Sequence, residues 1–171
     1  MKKALICGIS GQDGSYLAEL LLKKGYLVTG TSRDAQTNNF HRLEYLGIKK
    51  EVKLLSMSLN DFRSVMQAIK STMPDEIYNL AGQSSVGMSF EMPIDTMESI
   101  CSGTLNLLEA IRFLGNGSKF YNAGSGECFG ENNGQKSTED DSFKPTSPYG
   151  VAKAAAFWAT SNYRDAYGIF A

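Results

Sequence analysis

The sequence predicts an α/β fold in which a doubly wound parallel sheet carries helices on both faces. Three observations carry that reading. Short apolar runs bounded by glycine or charge alternate with longer stretches of helical periodicity. The first apolar run stands at the start of the chain and leads directly into a glycine-rich turn. No internal repeat, low-complexity segment or interdomain linker breaks the alternation, so residues 1–171 read as one domain with a core of its own.

Taken in order, Ala4 to Ile9 is a buried strand ending in glycine turns. Leu17, Leu20, Leu21 and Leu22 then recur at helical spacing until Gly25, a helix stop. Tyr26 to Ser32 alternates weakly and predicts the second strand, and Val52 to Met57 the third. Asp61 suits the N-cap of a helix bearing Phe62, Val65, Met66 and Ile69. Glu76 to Ala81 is the fourth strand. Pro93 opens a region whose Leu105, Leu108, Ile111 and Leu114 form a helical stripe ending near Gly115. Lys119 to Ala123 predicts strand five, Gly130 to Pro148 a polar surface loop, and Ser147 to Ala166 a last helix. A further strand is expected to begin within Tyr167 to Ala171.

Composition narrows the function classes. With 42% hydrophobic and 20% charged residues the chain is an ordinary globular sequence. A net charge of -1, with scattered lysines and arginines, leaves no basic excess for nucleic acid. Cys7, Cys101 and Cys128 are odd in number and far apart, which argues against a disulfide framework and for a reducing compartment, the cytoplasm. One histidine, His41, does not make a metal site. No apolar stretch nears the ~20 residues of a membrane span, and the N-terminus has no signal-peptide pattern.

Gly8, Gly11 and Gly14 lie between the first strand and the first helix. A strand feeding a helix directs free backbone N–H groups toward an anion, and glycine lets a pyrophosphate approach. The spacing GxxGxxG in this context predicts a Rossmann-like dinucleotide site. The second strand ends Thr31-Ser32-Arg33-Asp34. Arg33 suits a 2′-phosphate, which favours NADP, while Asp34 could serve the ribose hydroxyls of NAD if the loop turns differently.

Tyr149 and Lys153, four apart, share one helix face. A free phenol is a poor base at neutral pH, and an adjacent ammonium favours the phenolate. Such a tyrosinate can remove the proton of a substrate hydroxyl as hydride leaves its carbon. Strand five runs into Ala123-Gly124-Ser125-Gly126-Glu127. Strand ends are where open α/β sheets bind ligands, so Ser125 can bond the reacting oxygen and Glu127 brings a carboxylate to the same place.

A GxxGxxG loop with YxxxK resembles the extended short-chain dehydrogenase/reductase family, and within it the GDP-mannose 4,6-dehydratases. The segments that carry the resemblance are Gly8 to Glu19, Pro74 to Ala81, Gln83-Ser84 through Ser89-Phe90-Glu91, Gly103 to Leu105, Leu108 to Arg112, Ser147 to Tyr149, Asn162 to Arg164 and Tyr167-Gly168. The resemblance implies a redox-neutral lyase acting on GDP-mannose or a related sugar nucleotide. In it Tyr149 takes the C4 hydroxyl proton, Glu127 the C5 proton, and Lys153 supports Tyr149 and the nicotinamide ribose. Ser125 stands where these enzymes usually have threonine, and Gly126 and Ser58 also depart from their pattern. By the same likeness the NADP contacts fall on Gly8, Ser10, Gly11, Gln12, Asp13, Gly14, Arg33, Ser58, Leu59, Leu80, Ala81, Gly82, Tyr149 and Lys153. The substrate contacts fall on Ser84, Ser125 and Glu127. Arg33 to Leu46, including Arg42, Leu43 and Glu44, matches a region where subunits meet, so a homo-oligomer is implied. Family members are about twice as long, which implies that much of the sugar-nucleotide site lies outside these residues. Glu127 is the discriminator against 4-epimerases, which need no C5 proton transfer. The glycine loop and YxxxK would also suit a 4-reductase or a non-catalytic NAD(P)-binding module.

Overall fold

The computed structural model describes residues 1–171 apart from 132, 133 and 135. Five parallel strands form one sheet in the order β3-β2-β1-β4-β5: β1 Lys3–Cys7, β2 Leu27–Ser32, β3 Lys53–Ser56, β4 Glu76–Asn79 and β5 Lys119–Asn122. Their helices are α1 Gln12–Lys23, α2 His41–Tyr45, α3 Phe62–Thr72, α4 Val86–Glu91, α5 Pro93–Met97, α6 Gly103–Leu114 and α7 Pro148–Tyr167. This is the doubly wound Rossmann-like sheet that the alternation predicts.

Strand periodicity splits the core in two. Leu5 and Cys7 face one side, with Ile77, Phe120, Val65 and Ile69 of α3, and Leu107, Leu108 and Ile111 of α6. Ala4 and Ile6 face the other, with Val28, Ala18 and Leu21 of α1, and Phe40 and Leu43 around α2. Leu5, Ile6, Ile69, Ile77, Leu107 and Leu108 are completely buried. Each such side chain contributes about 1.5–3 kcal/mol relative to exposure.

Several boundaries differ from the sequence expectation. β1 ends at Cys7 rather than Ile9, because the Gly8 and Ile9 amides both turn to the Thr31 carbonyl. β4 ends at Asn79 rather than Ala81, since the side chain of Asn79 takes over the Ala81 amide at 3.4 Å. From Val86 to Ser102 the chain is helical but for Met92, in α4, α5 and a π-helical turn Glu98–Ser102, where the sequence suggested only that Pro93 opens a helical region. Most described residues of the 130–148 loop are exposed as expected, yet Phe143 pins the loop. Its ring meets Phe129, Phe157 and Trp158 at 5.1, 4.9 and 6.1 Å, each edge to face. The part of that predicted loop at 132, 133 and 135 lies outside the described residues. After α7 the Phe170 carbonyl accepts the Phe120 amide at 2.8 Å, so the tail lies along β5 where the further strand is expected.

Candidate functional site

The strand order reverses between β1 and β4, the place where open α/β sheets bind ligands, and the residues singled out by the sequence follow the C-terminal ends of the strands or lie at the starts of α1 and α7. Gly11 is the N-cap of α1, and no side chain caps that helix. Its first N–H groups therefore have no side-chain acceptor, and with the helix dipole they suit an anion. Gly14 is buried where α1 crosses the loop: a Cβ there would run into the Gly8 carbonyl oxygen and stand 2.8 Å from the Ile9 Cα. Gln12 and Asp13 stay exposed in the first turn. The guanidinium of Arg42, on α2, donates to the Ser10 carbonyl at 3.1 Å and braces the loop from outside.

At the end of β2, Arg33 is exposed and has no partner among the described residues. Asp34 turns back on its own loop, accepting the Gln36 and Thr37 amides at 2.9 and 3.2 Å. Those bonds, Thr37 first, hold its carboxyl below the usual carboxylate range. The Ser58 amide donates to Ser64 Oγ, and buried Leu59 accepts Asn106 Nδ2 at 2.7 Å through its carbonyl. Leu80 donates to the Cys7 carbonyl at 3.1 Å, bringing Leu80, Ala81 and Gly82 beside the glycine loop. Ser84 is exposed on the next loop.

Register places Asn79 of β4 opposite Asn122 of β5. Asn79 Nδ2 donates to Asn122 Oδ1 at 2.9 Å and to Thr104 Oγ1 at 3.2 Å, and the Thr104 hydroxyl donates to Asn122 Oδ1 at 3.3 Å. This satisfied network fixes both strand ends beneath the crevice.

Ser125 leaves β5 and opens a 3-10 turn, its Oγ accepting the Glu127 amide at 3.3 Å. Glu127 is exposed. The turn packs on the start of α7, where Ser147 Oγ accepts the Gly150 amide at 3.0 Å and Pro148 takes the first helical position. Gly150 is what lets them meet, because a Cβ there would lie 2.6 Å from the Glu127 carbonyl oxygen. Tyr149 packs against the cluster of Ile100, Ala152 and Ala156. One turn on, Lys153 Nζ lies 5.8 Å from the Tyr149 ring centroid and donates to the Ala123 carbonyl at 3.1 Å. Burial holds this ammonium below the ordinary lysine range. Ser125, Glu127, Tyr149 and Lys153 thus belong to two segments that touch. Ala123 and Gly150 are neighbours of these candidate residues that sequence reasoning missed. A glycine inside YxxxK, in an otherwise alanine-rich helix, is the signal that could have exposed the second.

Cys7 and Cys128 are buried, Cys101 is half-buried, and none is paired. Among the described residues no group of three His, Cys, Asp or Glu side chains could hold a metal ion. No described helix is long and apolar enough to cross a membrane.

Comparison with known proteins places this arrangement. A family model described as GDP-mannose 4,6 dehydratase matches residues 5–171. GDP-mannose 4,6-dehydratase of Yersinia enterocolitica is 44% identical over 178 residues, covering 100% of this chain and 48% of that protein. Among solved structures, a UDP-Glc/GlcNAc 4-epimerase from Campylobacter jejuni superposes with a TM-score of 0.89 at 23% identity, over 99% of this chain and 51% of that one, a likeness of fold. A Thermus thermophilus UDP-glucose 4-epimerase in complex with NAD gives 0.85 at 31% identity, over 98% and 52%. The chain spans about half the length of the curated relatives it matches.

Proposed function

This chain belongs to the GDP-mannose 4,6 dehydratase family, and from that membership we propose that the protein carrying it converts GDP-mannose to GDP-4-keto-6-deoxymannose. The observation that carries the reading is the contact between two segments: the Ser125–Glu127 turn lies against the first turn of the helix bearing Tyr149 and Lys153.

The uncapped start of α1 and the glycine approach at Gly14 fit a dinucleotide pyrophosphate. We assign that cradle to Gly8, Ser10, Gly11, Gln12, Asp13 and Gly14, with Leu80, Ala81, Gly82, Ser58 and Leu59 along the crevice. A bound nicotinamide dinucleotide supplies the temporary hydride acceptor. Arg33, exposed and without a partner among the described residues, together with an Asp34 carboxylate already engaged by its own loop, supports NADP over NAD.

In the reaction Tyr149 takes the C4 hydroxyl proton, with the Lys153 ammonium 5.8 Å from its ring centroid. Ser125 donates a hydrogen bond to the same oxygen. The C4 ketone acidifies C5–H, and Glu127 accepts that proton, which the C6 oxygen carries off as water; return of the stored hydride to C6 and of a proton to C5 would complete the redox-neutral 6-deoxy product. Ser84 contributes a substrate contact. The substrate contacts not supplied here we place in residues outside this dinucleotide-binding unit. We further propose a homo-oligomer meeting near Arg33 to Leu46, supported by Arg42 at the glycine loop and an exposed Tyr45 beside it. The unpaired cysteines support the cytoplasm as its compartment.

The test is incubation of the whole protein with GDP-mannose and catalytic NADP. A 4-keto-6-deoxy product without net NADPH consumption is expected; stoichiometric NADPH loss on a keto-sugar would instead make it a reductase. A general base contributes about 10²–10⁴-fold, so Glu127→Gln should slow elimination by about 10²-fold or more. An unchanged elimination rate would remove Glu127 from that role.

A further inference from the structure

The helix that runs from Pro93 to Leu114 is regular except at Glu98–Ser102, where one π-helical turn joins α5 to α6 without a break in backbone direction. A π-turn holds one residue more than an α-turn and occurs mostly as an isolated bulge, often beside functional sites. Here it lies where three parts of the candidate site meet. On one side the Gln83 amide donates to Ser99 Oγ at 3.3 Å, and Gly82 lies against Ile100 and the Ser99 carbonyl. Gln83 Nε2 adds a bond to Thr96 Oγ1, one turn earlier, at 3.3 Å. On the other side Ile100, almost fully buried, forms one cluster with Ala152 and Ala156 of α7, against which Tyr149 packs. Just after the turn, Gly103 lies against the Leu59 side chain.

The turn thus joins two partners: Ser99 holds the loop after β4, and Ile100 lies between Gly82 of that loop and the α7 cluster that Tyr149 packs against. We propose that this π-turn is a positioning element that sets Tyr149 against the loop Ala81–Gln83, and that Ser99 is a positioning residue for the reaction. The proposal rests on the reading of Tyr149 as the base and Ala81–Gly82 as cofactor-side residues. The physical reason is geometric. A regular α-helix rotates about 100° per residue, so closing the bulge would rotate α6, with Gly103 against Leu59, relative to α5, whose Thr96 accepts from Gln83.

The experiment compares the whole protein with Ser99→Ala and Ser99→Thr. Ser99→Ala removes the acceptor of the Gln83 amide; Ser99→Thr keeps an oxygen there. With the melting temperature preserved, Ser99→Ala should lower kcat about tenfold, leave KM for GDP-mannose within about threefold, and raise the NADP Kd about fivefold. Ser99→Thr should recover kcat and Kd to within about threefold of the natural protein. A folded Ser99→Ala protein with unchanged kcat and unchanged NADP affinity overturns the proposal. If Ser99→Ala does not fold, Ile100→Val, which removes one methyl group from the cluster that Tyr149 packs against, decides: kcat should fall about threefold at unchanged KM, and an unchanged kcat overturns the proposal. Should the natural protein leave GDP-mannose untouched, the dehydratase reading fails by itself, and the NADP affinities of the variants then decide the positioning claim.

Discussion

A Cβ on Gly150 would stand 2.6 Å from the Glu127 carbonyl oxygen and 3.0 Å from the Pro145 Cβ. The first neighbour is backbone and cannot swing aside as a side-chain end can. Gly150→Ala should therefore displace the Glu127 turn and destabilise the protein by about 1–3 kcal/mol, even though alanine is the better helix former. Denaturant unfolding would read this directly, and an unchanged midpoint would mean that the turn shifts freely. At this scale the sequence was legible where a residue's chemistry is unusual for its place: Tyr149, Lys153, Ser125 and Glu127 stand out by type and spacing. It was not legible where the partner is backbone. The Lys153 ammonium rests on the Ala123 carbonyl at 3.1 Å, and every residue carries a carbonyl, so no side-chain pattern marks that one.

α7 starts at a cap that sequence alone suggests, Ser147 before Pro148, and the structure supplies its bond: Ser147 Oγ accepts the Gly150 amide at 3.0 Å. Because Ser147 is buried, Ser147→Ala leaves that amide without a partner and should cost about 1 kcal/mol. A melting temperature lower by about 2–4 °C is expected for a chain of this size. Calorimetry checks it, and an unshifted transition would show that the cap carries no weight. The strands were readable because a sheet covered on both faces makes short continuous apolar runs, and α1, α3 and α6 because their stripes repeat at 3.6 residues. α2, α4 and α5 span only five, six and five residues. Such lengths are too short to be stable alone. They form because tertiary packing holds them, so no local pattern announces them, nor the π-turn that follows α5.

At the scale of the molecule, two apolar layers close the sheet, one against α3 and α6 and one against α1 and α2. The 171-residue chain therefore has its own core, but it spans about half the length of the curated relatives it matches. Purified by itself, it should bind NADP measurably and show no turnover of GDP-mannose; robust dehydration by this chain would place the whole substrate site within it. The sequence by itself determined the α/β class and the strand–glycine–helix turn, and it singled out the residues proposed as catalytic. Those depend on local periodicity and on chemistry carried by single side chains. Only the tertiary structure decided which distant segments touch: Asn79 with Thr104 and Asn122, Glu127 with Gly150, and Ser99 and Ile100 between Gln83 and Tyr149. These contacts follow from strand register and helix packing, in which residues far apart in the chain share one small volume, and no local pattern of residues encodes that proximity.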